Sequence, residues 1–96
     1  MATILGKVTK QPSEVLDYYV SFDDWFAGRS DAAVDHEVEA ETGIVIEDDT
    51  RIDNTVRIVL SGGTAGEQYK ITVRITTNAT PPIIREGDFI VKVREY

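Results

Sequence analysis

The chain predicts an all-β fold, an antiparallel immunoglobulin-like β-sandwich of about seven strands. Three observations carry that reading. Short runs of alternating apolar and polar residues recur along the chain. Turn signals separate them at intervals of roughly 8–14 residues. No run reads as a convincing amphipathic helix. A small barrel is the runner-up. Residues 1–14 read as an extended lead-in carrying an edge-strand signal, and residues 15–96 as one sandwich domain.

In the lead-in, Ile4, Leu5 and Val8 mark the edge strand, and Pro12 ends it by lacking an N–H donor. Val15 to Phe22 alternates next. Leu16, Tyr18, Val20 and Phe22 share the core face; Asp17 and Tyr19 share the other. Asp23 to Ser30 is a compact turn or single helical turn. Of Trp25 and Phe26, both too large and apolar for a free loop, Trp25 is the predicted plug at one end of the sandwich. Over Ala32 to Ala40 a helix competes with a strand, and the period of two with β-branched valines favours the strand. It places Val34, His36, Val38 and Ala40 on one face.

Glu41-Thr42-Gly43 turns the chain into a short strand, Ile44-Val45-Ile46, and Glu47 to Asn54 reads as a polar connection with strand character near Ile52. Val56, Ile58 and Leu60, then Tyr69, Ile71, Val73 and Ile75, are the clearest alternating sets. The glycine-rich Ser61 to Glu67 between them predicts a β-hairpin. Pro81 and Pro82 make residues 78–82 a loop. The last strand turns Phe89, Val91 and Val93 inward and Ile90, Lys92 and Arg94 outward.

Composition narrows function. Ninety-six residues with 42% apolar content form a core without staples. The absence of cysteine removes disulfides, thiolate metal sites and cysteine nucleophiles. Seventeen acids against ten bases give a net charge of −7, which argues against nucleic acid and anionic membranes as partners. Met1 to Lys7 holds no apolar core of a secretory signal, and no run is long enough to span a bilayer. The sequon Asn78-Ala79-Thr80 is read as chance.

No catalytic constellation emerges. His36 is the sole histidine and reads as a half-buried strand residue. The loop at Ser61 to Gly66 lacks the Gly-Lys-Ser/Thr ending and the following helix of a phosphate cradle. The paired acids lack the spacing of a calcium loop. No cofactor, metal or catalytic residue is therefore assigned. Acids concentrate in residues 31–53, and bases (Arg57, Lys70, Arg74, Lys92, Arg94) on the C-terminal strands. Two readings stand: a solvated face of cross-strand ion pairs, and a two-signed surface for packing against subunits.

One string of residues is similar to a known family. Lys10-x-Pro12-x-Glu14-Val15-Leu16-Asp17-Tyr18, then Trp25, then Leu60-Ser61-Gly62-Gly63-Thr64-Ala65-Gly66-x-x-Tyr69-x-Ile71-x-x-Arg74-Ile75-Thr76-Thr77, resembles small proteins of tailed-phage and prophage structural-gene clusters. Phe26 stands where that pattern has Leu, and Ile44 to Asn54 is longer and more acidic. The resemblance, to proteins usually labelled phage tail, fibre or hypothetical virion proteins, implies a non-enzymatic virion or virion-associated domain with an immunoglobulin-like fold and leaves head, connector and tail open. It would contact other virion proteins or copies of itself, in the virion and in the bacterial host cytoplasm during assembly. Tyr19, Trp25, Ile90 and Tyr96 are the candidate interaction residues, being large side chains on otherwise polar faces or in the turn. The alternative is a carbohydrate- or peptide-binding module, with Trp25 and Tyr18 or Tyr19 as a stacking platform and Asp23-Asp24 holding hydroxyls or calcium.

Overall fold

Two sheets enclose one apolar core. The computed structural model describes residues 6–95. Its strands are β1 (Gly6–Lys10), β2 (Leu16–Ser21), β3 (Ala33–Ala40), β4 (Ile44–Ile52), β5 (Thr55–Gly62), β6 (Gln68–Thr77) and β7 (Ile84–Val93), with a four-residue helix α1 (Asp23–Phe26) after β2. A four-stranded sheet runs β1-β7-β6-β3 and a three-stranded sheet runs β2-β5-β4. Lettered A to G along the chain, C, F and G share one sheet and B, E and D the other, as in immunoglobulin domains. All pairings are antiparallel except β1, which lies parallel to β7 with Val8 opposite Val91. Ile4, Leu5 and Tyr96 lie outside the described residues.

The alternating sets supply the core as their phase predicts. Val20, Val56, Ile58, Leu60, Ile71, Val73, Ile75, Phe89, Val91 and Val93 are almost wholly buried. Each such side chain contributes about 1.5–3 kcal/mol on leaving water. Tyr18 and Phe89 meet across the layers with ring centroids 5.7 Å apart.

The predicted hairpin at Ser61 to Glu67 is corrected. β5 is the middle strand of the three-stranded sheet, between β2 and β4, while β6 lies in the other sheet between β7 and β3. The glycine-rich segment is therefore an arch from one layer to the other. Alternation is blind to this difference, because two strands facing each other across a core bury the same phase as two neighbours in one sheet. The arch is fastened to the end of β7: Gly66 N donates to Val93 O at 2.8 Å and Val93 N to Glu67 O at 3.0 Å. Thr64 N donates to the Tyr69 hydroxyl at 2.9 Å. Gly63 has φ +95°, and a Cβ there would stand 2.6 Å from Val93 Cγ2. Glycine is required by both conformation and close approach.

Three further expectations change. β4 continues unbroken through the acidic run to Ile52, with a register shift between Ile46 and Asp48, and meets β5 through a tight turn at Asp53, whose φ is 54°. β7 begins at Ile84, five residues before Phe89. A register shift between Ala33 and Asp35 turns Ala33 toward the core and leaves Val34 53% exposed, against the phase that put Val34 with His36 and Val38.

Candidate functional site

Lys10 is the most deeply placed charged residue, at 1% exposure. It ends β1, and its Nζ donates to the carbonyls of Gln11 (2.8 Å), Pro12 (3.4 Å) and Gly62 (2.7 Å). Burial lowers its ammonium below the usual lysine range, and the Glu14 carboxylate pulls it partly back. Nothing reactive faces it, so it acts as a clip between layers.

The end of the sandwich near α1 is closed by Phe26, not Trp25. Phe26 is 7% exposed, and its N–H closes a helical turn on Phe22 O at 3.0 Å. That spacing of four residues lays Phe26 over Phe22. Trp25 is half-buried and packs edge-on against Phe26, centroids 4.8 Å apart. The guanidiniums of Arg29 and Arg85 lie over the Trp25 ring at 4.3 and 5.8 Å. Arg29 also forks onto Asp31 with two bonds of 2.8 Å, which lowers the Asp31 carboxyl and raises the Arg29 guanidinium. An open hollow of about 530 Å³, lined by Gly28, Arg29, Ser30, Asp31, Asn78 and Ala79, lies beside this group.

The segregation of charge along the sequence disappears in the fold. Antiparallel register sets acidic β3 beside basic β6. Arg74 bonds Glu39 (2.7 Å), Glu37 (2.8 Å) and Glu86 (2.9 Å), which raises it above the usual arginine value and lowers Glu39. Lys70 reaches Asp88 at 3.9 Å. On the other sheet, Arg57 lies between Asp17 (3.3 Å) and Asp48 (3.8 Å), and is raised by Tyr19 and then Asp17. Cross-strand ion pairing is what Arg57, Lys70 and Arg74 do.

His36 is half-buried and its Nε2 donates to Asp49 Oδ1 at 2.6 Å, tying edge strand β3 to edge strand β4 across the open side of the sandwich. Among the described residues, no group of three or more His, Asp or Glu could hold a metal ion.

The candidate interaction residues do not converge. Tyr19 is exposed on the outer face of the three-stranded sheet. Ile90 is half-buried on the outer face of the other sheet, with Lys7 and Lys70 opposite it. Trp25 lies at one end beneath its two arginines. Tyr19 shares its face with Val15, which the alternation of the strand already sets in the same phase, and with Val45, Val59 and Ile52, which the order β2-β5-β4 adds.

A small β-sandwich whose central arginines, Arg57 and Arg74, are answered by acids across strands is built as a structural or interaction domain. The chain belongs to the Gp77 family: the family model described as podophage GP4 fiber-tail adaptor protein gp77 matches residues 10–92. It is thus a phage tail-associated structural protein of the virion. No match among curated proteins accompanies this finding.

Proposed function

We propose that this chain is a non-enzymatic adaptor domain of the phage tail that joins other virion proteins, fibre proteins among them, through surface contacts of its sandwich. The observation that carries the reading is the family match over residues 10–92. The pairing of Arg29 with Asp31 at the hollow beside α1, and of Arg57 and Arg74 with acids on the two sheets, supports it. The net charge of −7 favours protein partners over nucleic acid or anionic membrane. The chain needs no cofactor or metal for this role. It meets its partners in the host cytoplasm as particles assemble.

A sugar-stacking role for Trp25 is disfavoured, because Arg29 and Arg85 already lie over its ring. The test is genetic. Purified particles should contain the chain by mass spectrometry, and particles made without it should keep their tails and lose fibres. Fully fibred particles lacking the chain would overturn the proposal.

A further inference from the structure

We infer that the outer face of the β2-β5-β4 sheet is the docking face, and that its occupant is a different virion protein presenting an apolar patch rimmed by lysine or arginine. This rests on the adaptor reading above and names its surface.

Among the described residues, four of the seven large apolar side chains left exposed lie here: Val15 (60%), Tyr19 (47%), Val45 (51%) and Ile52 (66%). The register assembles them. Tyr19 and Thr50 flank Arg57 on β5, Val45 lies opposite Ser61, and Ile52 opposite Thr55. Val15, just before β2, continues the phase of Asp17 and Tyr19. Half-buried Val59 sits at the centre, between Asp17 and Asp48. The opposite sheet differs in degree: its outer middle is the Arg74 cluster with Glu37, Glu39 and Glu86, a larger and tighter network to desolvate than Arg57 with Asp17 and Asp48. Its exposed apolar residues, Val34, Ile83 and Ile84, are confined to the end near the 78–82 loop.

Charge selects the occupant. Asp17 and Asp48 flank the one guanidinium of this face, Arg57, and a third carboxylate, Glu47, accepts from Ser61 Oγ. Three carboxylates against one cation leave the face with two surplus negative charges. A second copy would bring the same surplus to a two-fold contact, on a chain of net charge −7. A partner with a basic rim meets no such repulsion.

The sheet surface measures about 15 Å by 25 Å, or about 400 Å². A stable standard interface buries about 800 Å² per partner. The contact therefore continues past the sheet surface, over the edge of β4, which ends its sheet among the described residues.

The test uses phage particles made without the chain's gene and supplied with the chain from a plasmid. Tyr19→Lys, Val45→Lys and the milder Tyr19→Ser are compared with Val34→Lys, at an exposed residue of β3 in the opposite sheet. Folding of each purified protein is followed by tryptophan emission and thermal midpoint. The face variants should fold like the parent yet fall at least tenfold in copies per particle, whereas Val34→Lys incorporates normally. Equal incorporation of folded Tyr19→Lys and Val45→Lys would overturn the docking face while leaving the adaptor reading intact. Absence of the unmodified chain from particles would remove both. Dimerisation of the purified parent, abolished by Tyr19→Lys, would overturn the choice of a different protein as occupant.

Discussion

Lys10 Nζ lies 2.7 Å from the carbonyl oxygen of Gly62, so a side chain from the end of β1 is bonded to the last residue of β5 in the other sheet. With Gln11 O and Pro12 O it caps three carbonyls. Lys10→Met keeps the buried stem and strips those acceptors of their donor. A hydrogen bond to a charged group is worth about 1.5–3 kcal/mol, so unfolding free energy in urea should fall by about 2 kcal/mol. An unchanged urea midpoint would mean that Lys10 is merely accommodated.

Tyr18 presents the reverse case. Its hydroxyl is buried and has no hydrogen-bond partner. Tyr18→Phe should raise stability by about 1 kcal/mol at neutral pH, by removing an unanswered polar group. Burial, and secondarily the Glu14 carboxylate, raise the phenol above its ordinary value of 10.0. A raised acid binds more protons folded than unfolded, so its contribution is complete below pH 10 and is lost as pH rises through the folded value. The advantage of Tyr18→Phe should therefore widen above pH 10 in paired thermal melts.

The arch offers a matched pair of glycine substitutions. Gly63 and Gly66 have φ of +95° and +91°, but only at Gly63 does a new Cβ collide, with Val93; at Gly66 it meets nothing within 4 Å. Gly66→Ala should cost about 1–2 kcal/mol from backbone conformation alone. Gly63→Ala should cost about 3 kcal/mol, because overpacking against β7 adds to the same strain. Equal losses in chemical denaturation would contradict the fastening of the arch to Val93.

On the acid side, the arginine partners hold Glu39 and Asp31 below their ordinary values of 4.5 and 3.8. A lowered carboxyl binds fewer protons folded than unfolded, so its contribution is present above pH 4.5 and fades as pH falls through the folded value. Thermal midpoints should decline below pH 4.5. Arg74→Gln should lower the midpoint slightly at pH 7 and not at pH 2. A constant difference across that range would show that Arg74 acts by packing.

At the α1 end, Phe26→Ala should cost about 3 kcal/mol, as truncation of a buried aromatic does, and Trp25→Ala less than half of that. Calorimetry of the two variants ranks them.

Much of the fold is legible in the sequence because period-two alternation reports which side chains leave water. The inward sets of β2, β5, β6 and β7 follow it residue by residue. Alternation does not report which sheet a strand joins, and so the Ser61 to Glu67 arch reads as a hairpin. It also fails at edges. β4 carries Glu47, Asp48 and Asp49 because an edge strand tolerates charge, and the acidic run hides the part of the strand beyond Ile46. Trp25 and Phe26 are both large and apolar, and only the helical turn that stacks Phe26 on Phe22 decides between them. Of the proposed face, Tyr19 is visible as a large residue in a polar phase. Val15 is visible in the same phase, whereas Val45 and Ile52 join the face through topology, which no local pattern encodes.

The parallel pairing of β1 with β7 fixes an order of events on the ribosome. Gly6 to Lys10 are synthesised some eighty residues before their ladder partners, Phe89 to Val93. The β4–β5 and β6–β7 hairpins close over short connections and can form as they emerge. β1 must wait without its partner through that stretch of synthesis, at roughly 5–20 residues per second, before its seat exists. Until then the growing chain exposes the β7-facing flank of β1, and β7 locks in place a strand made long before it.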